Sequence, residues 1–217
     1  FLTGFIYFSR YLSHRAPAPE VAEGRPRSFV EYFRVPDGYL FHQGHSWLKA
    51  EDDRLVKVGM DDFSQKLIGK VDAVRLPGPG AKLQQGEKGW AVSAQDKTID
   101  ILSPIDGEVV AVNQEAIRNP DLLGLDPFES GWLLKVRPER FNPNKRNLLS
   151  GEMARQWMSS VLERLRGDIG NSMEQEGPAL GTVYQDGGRP VRGIARALAG
   201  DRWEELARGY FHTDGRE

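Results

Sequence analysis

From Ser28 to about Pro138, apolar residues come in short runs broken by Gly, Pro, Asp and Asn. This spacing predicts strands at Tyr39–Phe41, Ser46–Lys49, Leu55–Gly59, Val71–Leu76, Lys82–Leu83, Trp90–Ser93, Thr98–Leu102, Gly107–Val112 and Trp132–Val136. Pro77-Gly78-Pro79-Gly80, Gln85-Gly86 and Asp106-Gly107 mark turns between them. Such a density of strands and turns predicts a mainly β domain, a barrel or a sandwich. One helix is predicted inside it, opened by Asp61-Asp62 and carrying Phe63 and Leu67 on one face. Asn119-Pro120-Asp121-Leu122-Leu123 suggests a second, short one, with Pro120 near its first position.

After Pro138 the period changes. Ser150 is placed to cap a helix to about Arg166, with Met153, Trp157, Val161 and Leu165 four apart and Ala154, Met158 and Leu162 beside them. Residues 167–188 are predicted as loop, then a helix over Val191–Leu198 opened by Pro190. A third helix is predicted to start at Asp201, with Glu204 three residues on as in a capping box. These helices suit packing on each other or on the β domain, or else docking onto a partner, for which Trp157, Trp203, Tyr210 and Phe211 are the candidate anchors, being large aromatic groups of the type that anchors a protein interface.

The N-terminal end differs from both regions. Phe1–Phe8 is apolar, and Arg10 and Arg15 follow with no acid between. Eight residues cannot cross a bilayer, which takes about 20. They suit the last two turns of a spanning helix, with Tyr7 and Tyr11 at the interface and the rest of the chain on the cytoplasmic side. The Pro-rich segment Ala16–Arg27 has a linker composition. The expected organisation is a membrane-helix remnant over 1–15, a linker over 16–27, a β domain over 28–140 and a helical extension over 141–217.

Composition narrows the functional classes. Of 217 residues, 29 are Lys or Arg and 31 are Asp or Glu. The net charge of −2 lacks the basic surplus expected of a nucleic-acid binder. With no cysteine, disulfides, thiolate metal sites and a Cys nucleophile are excluded. His42 and His45 stand three apart, but on a predicted strand edge and without further ligands, so no metal is expected. Gly78-Pro79-Gly80 lacks the Gly-Lys-Ser/Thr of a phosphate loop. Asp61, Asp62, Asp100, Asp106 and Glu108 each suit a cap, a turn or a solvated strand face, and no catalytic set is expected.

A series of motifs in the β region carries a family resemblance. His45-Ser46-Trp47, Val58-Gly59-Met60-Asp61-Asp62-Phe63 and Leu67-Ile68-Gly69-Lys70-Val71 come first. Leu76-Pro77-Gly78-Pro79-Gly80, Gln85-Gly86-Glu87, Ser103-Pro104-Ile105-Asp106-Gly107-Glu108-Val109-Val110, Asn119-Pro120, Asp126-Pro127 and Gly131-Trp132-Leu133-Leu134-Lys135-Val136 follow in order. This series closely resembles the H-protein of the glycine cleavage system, over about half the chain. The resemblance implies a lipoyl-type barrel-sandwich hybrid domain. It also implies a carrier that is not itself an enzyme, bearing lipoate on a hairpin-tip lysine between partner enzymes.

Counting from Gly86-Glu87 or back from Ser103-Pro104, the family's lysine falls on Asp96, and the family's upstream acid falls on Ser93. A carboxylate cannot form the lipoyl amide. Lys97 is the neighbouring candidate for attachment, but a one-residue shift changes how a lipoylating enzyme meets it. The expectation is therefore a non-catalytic, membrane-anchored accessory or scaffolding subunit without lipoate. It would dock other subunits of a membrane complex of respiratory or photosynthetic type, on the cytoplasmic face. The alternative is a lipoyl carrier of glycine-cleavage type that uses Lys97.

Overall fold

The structure is a computed structural model that describes residues 28–176, 184–185, 189–190 and 192–213. The expected N-terminal membrane helix and linker lie outside these residues. Among the described residues, no helix is long and apolar enough to cross a membrane.

Thirteen strands are described. They are β1 (Phe29–Val30), β2 (Phe33–Arg34), β3 (Leu40–Phe41), β4 (Ser46–Ala50), β5 (Val56–Met60), β6 (Ala73–Arg75) and β7 (Lys82–Leu83). After these come β8 (Lys88–Ala94), β9 (Lys97–Leu102), β10 (Gly107–Val112), β11 (Leu134–Pro138), β12 (Tyr184–Gln185) and β13 (Arg189–Pro190). The main sheet has the order β3-β4-β5-β11-β10-β7 and faces a three-stranded sheet β6-β8-β9. The strand pairings in both are antiparallel. Two short ribbons, β1-β2 and β12-β13, complete the inventory. The strand pattern predicted from the sequence is thus observed, with ends shifted by at most two residues. Ribbon β1-β2 is too short to leave a periodic signal.

Between the two sheets lies a core centred on Phe41, Trp47, Leu48, Phe63, Ile99, Ile101 and Phe128. Close approach sets one glycine here: a Cβ at Gly59 would lie 2.6 Å from the Trp47 indole, which stacks across the ladder. Trp47 Nε1 donates to the Met60 carbonyl at 2.9 Å, so the buried indole keeps a partner.

Helix α1 (Asp62–Ile68) begins as predicted. Asp61 is its N-cap, and its carboxylate accepts from the Ser64 amide at 2.8 Å. Asp62 accepts from the Arg34 amide and from Lys66, tying β2 to the helix. Two short helices follow, α2 (Gln114–Arg118) and α3 (Leu122–Leu125). Pro120 precedes α3 instead of opening it, because Asp121 holds the N-cap position. A further turn, α4 (Phe141–Lys145), presents Asn144 to the Gln85 and Asp106 side chains.

Helix α5 (Gly151–Glu176) runs ten residues past its predicted end, through part of the stretch expected to be loop. Gly167 and Gly170 lower helix propensity by about 1 kcal/mol each but do not stop it. Its buried stripe is also rotated from the expected one. Ala154, Met158, Leu162, Leu165 and Ile169 are buried, whereas Met153 is 59% exposed.

The C-terminal end carries α6 (Ile194–Ala199), a 3₁₀ turn (Gly200–Arg202) and α7 (Trp203–Phe211). Pro190 sits in β13 and does not open α6. The expected capping box is not formed: Arg202 is the N-cap of α7, and Asp201 belongs to the 3₁₀ turn. Glu204 pairs instead with Arg208 at 2.7 Å and with Lys97 at 3.6 Å. One contiguous core takes in residues on both sides of position 140, because Ala154, Met158, Ala207, Tyr210 and Phe211 join the β-sheet residues in it.

Candidate functional site

The hairpin β8–β9 is built by alternation. Trp90, Val92 and Ala94 face Ile99 and Ile101 in the interior, and Ser93 pairs Thr98 across the ladder. A two-residue turn, Gln95-Asp96, joins Ala94 to Lys97. Gln95 has φ of +57°, a left-handed conformation that a side-chain-bearing residue adopts only when held. The hold comes from Asp72. Its carboxylate accepts from the Gln95 amide at 2.5 Å, and its own amide donates to the Ser93 carbonyl at 2.8 Å. The Ser93 and Thr98 hydroxyls, 3.0 Å apart, close the turn from the strand side. Sequence reasoning did not single out Asp72, which falls inside the strand predicted over Val71–Leu76 but just ahead of the observed β6.

Asp96 stands exposed at the apex of this turn. It has no amine to form an amide, so an attached lipoate does not fit position 96. Lys97 occupies a ladder position opposite Ala94 and lies on the same face of β9 as buried Ile99 and Ile101. Its side chain is 39% exposed and pairs with Glu204 of α7. The amine next to the apex is therefore directed at the protein's own C-terminal helix.

The helix carrying Glu204 holds three of the four aromatic residues considered as partner anchors, and α5 holds the fourth, Trp157. Trp203, Tyr210 and Phe211 are buried, and Trp157 is half-buried. They pack intramolecularly: Phe211 and Trp157 stand against the His45 ring at 6.0 and 4.9 Å, and Tyr210 against Phe63 at 5.4 Å. Their amphipathic spacing marks a buried face but not what buries it. The Tyr210 hydroxyl donates to Asp168 at 2.6 Å. Burial first, then the Asp168 acceptor, pushes this hydroxyl far above the ordinary tyrosine range.

His45 is buried, with Nδ1 2.7 Å from Asp61 and its ring stacked on Phe63 at 4.4 Å. Among the described residues, no group of three or more His, Cys, Asp and Glu is placed to hold a metal. The other acids noted in the sequence are engaged separately: Asp100 with Lys88, Asp106 with the Gln85 amide, and Glu108 with Lys82 and Arg137.

Two facing antiparallel sheets, with an exposed hairpin tip at one end of the smaller, define a barrel-sandwich domain of the carrier type. The family model for the glycine cleavage H-protein matches residues 39–161, and the chain belongs to that family. It is similar to the mitochondrial glycine cleavage system H protein of Oryza sativa subsp. indica, at 40% identity over 112 residues, 51% of this chain and 68% of that one. It is also similar to the probable glycine cleavage system H protein of Thermococcus gammatolerans, at 29% over 132 residues, 61% of this chain and 98% of that one. Among solved structures, a glycine cleavage system H protein from Mycobacterium marinum matches at 28% identity and a TM-score of 0.46, over 48% of this chain and 87% of that one. As a member of a carrier family, the chain is not itself an enzyme.

Proposed function

We propose that this chain is an H-protein-type subunit that works by docking other proteins and carries no lipoate at its hairpin tip. The observation that carries this reading is Asp96, an exposed carboxylate at the apex of an otherwise intact hairpin. A rigid tip, locked by Asp72, retains the shape of a recognition element after the loss of its attachment lysine. Fold alone does not fix function, so the reading rests on this one position. Intact-mass spectrometry of the chain purified from its native source tests it. The unmodified mass is expected; a lipoyl or octanoyl adduct overturns it.

The relatives favour a second reading, a lipoyl carrier of glycine-cleavage type that uses Lys97. On this reading acylation removes the Lys97 charge and releases Glu204 from the pair at 3.6 Å. Peptide mapping of the same sample decides between the two readings, since the second requires the adduct on Lys97.

Membrane attachment through Phe1–Arg15, with the bulk of the chain cytoplasmic, is part of the first proposal and rests on the apolar run and its two arginines alone. Recovery from native membranes in mild detergent, together with partner subunits, is the expected behaviour. Recovery as a free protein in the soluble fraction overturns it.

A further inference from the structure

A cleft of about 610 Å³ opens between the hairpin tip and the C-terminal helices. One wall is made by Ile68, Lys70 and Gln95, inside the family-matched span, and the other by Arg192, Arg196 and Trp203, outside it. The cleft therefore depends on the extension and is not a feature of the family domain alone.

Backbone contact sets the two walls apart at a fixed distance. Gly69, with φ of +90°, lies against Gly193, and a Cβ at Gly69 would come within 2.9 Å of the Gly193 Cα. The Gly193 amide donates to the Lys66 carbonyl at 2.8 Å. No flexible side chain separates the walls at this point, so the cleft is largely pre-formed.

Its chemistry is two-sided. Lys70, Arg192 and Arg196 bring three cations to it, against one acid, Asp72. One oxygen of that acid already accepts the Gln95 amide. Among the described residues, Lys70 and Arg196 make no ion pair, and Arg192 has only a long bond of 3.5 Å to the Gly124 carbonyl. Ile68, Ala94 and Trp203, all more than nine-tenths buried, supply apolar walls. Guanidinium forks match a carboxylate bidentately, and apolar walls match a carbon chain. An inorganic anion would leave the apolar walls wet, and a neutral lipid would leave the cations unpaired.

We propose that this cleft binds an organic carboxylate with a short alkyl body, its charge on Arg192, Arg196 and Lys70 and its chain against Ile68, Ala94 and Trp203. The site is independent of whichever group the hairpin tip carries.

Titration calorimetry of the full chain with octanoate tests the proposal, with octanol, sulfate and N-acetylglutamate as comparison ligands. Saturable one-to-one binding of octanoate is expected. The double substitution Arg192→Gln, Arg196→Gln is expected to weaken it by roughly tenfold or more, the scale of one charge-assisted hydrogen bond. Both arginines are exposed, and an unchanged melting temperature verifies that the variant is folded. Absence of saturable binding, or equal affinity in the folded double variant, overturns the site. Octanol or sulfate binding as tightly as octanoate overturns the pairing of charge with chain. Tighter binding of N-acetylglutamate overturns the free acid in favour of an acidic side chain presented by another protein.

Discussion

The body and the tip of hairpin β8–β9 follow different rules. In the body, Val92, Ile99 and Ile101 are at most 1% exposed and belong to the hydrophobic core. At the tip, Gln95 and Asp96 face solvent and the turn is held by Asp72. Packing constrains these buried side chains, whereas the Asp96 side chain at the tip is exposed and takes no part in the core. A change at position 96 can therefore remove the family's attachment chemistry and leave the fold intact. The likeness to H proteins resides in the body, and the departure from them resides at the apex.

Four substitutions break or sharpen this contrast. The largest loss is expected from Phe211→Ala, which empties a fully buried site between the extension and the β domain. About 3–5 kcal/mol is expected in urea unfolding, with β domain and extension lost in a single transition. A small loss would mean that the extension is separable from the core. Ile101→Ala in the hairpin body is expected to cost about 2–5 kcal/mol, read from the shift of the denaturation midpoint.

Tyr210 gives a pH effect of intermediate size. Its hydroxyl stays protonated in the folded chain well above the ordinary value, while the unfolded chain releases the proton near pH 10. The folded state then binds more protons than the unfolded one, so this contribution is full below about pH 10 and declines as pH rises beyond it. Tyr210→Phe should flatten that alkaline limb; an unchanged slope would place the titrating group elsewhere.

The smallest effect on stability, within about 0.5 kcal/mol, is expected from Asp96→Lys at the tip. That variant is also expected to become a substrate for a lipoate-attaching enzyme in vitro, while the natural chain stays unmodified. Failure of the lysine variant to accept lipoate would mean that the tip has lost more than its amine.

Much of this was legible along the chain because it was local. Asp61 signals a helix start, and Asp106-Gly107 and Gln85-Gly86 signal turns. The β-strand alternation of Val92, Ile99 and Ile101 needs no knowledge of distant residues. Position 96 was reached by counting from motifs on either side. The rest depends on tertiary contacts. Glu204 has the spacing of a capping residue but is drawn to Lys97 and Arg208. Gly167 and Gly170 resemble a helix stop, yet the buried stripe of α5 continues to Ile169. Trp203, Tyr210 and Phe211 advertise an apolar face, but their neighbours His45 and Phe63 lie at the other end of the sequence. Asp72 acts through a contact with a turn 23 residues away.

The ring of Phe211 against His45 has a consequence for how the protein is made. Residues near the start of the β domain wait for residues synthesised much later before their core closes. Until then the faces of His45 and Phe63 that Phe211 and Tyr210 will cover stay open, in a nascent chain already long enough to pair most of its strands. Emergence of α7 is therefore the step that completes the core, and the interval before it is when a chaperone, or a stray nascent neighbour, can reach those aromatic groups.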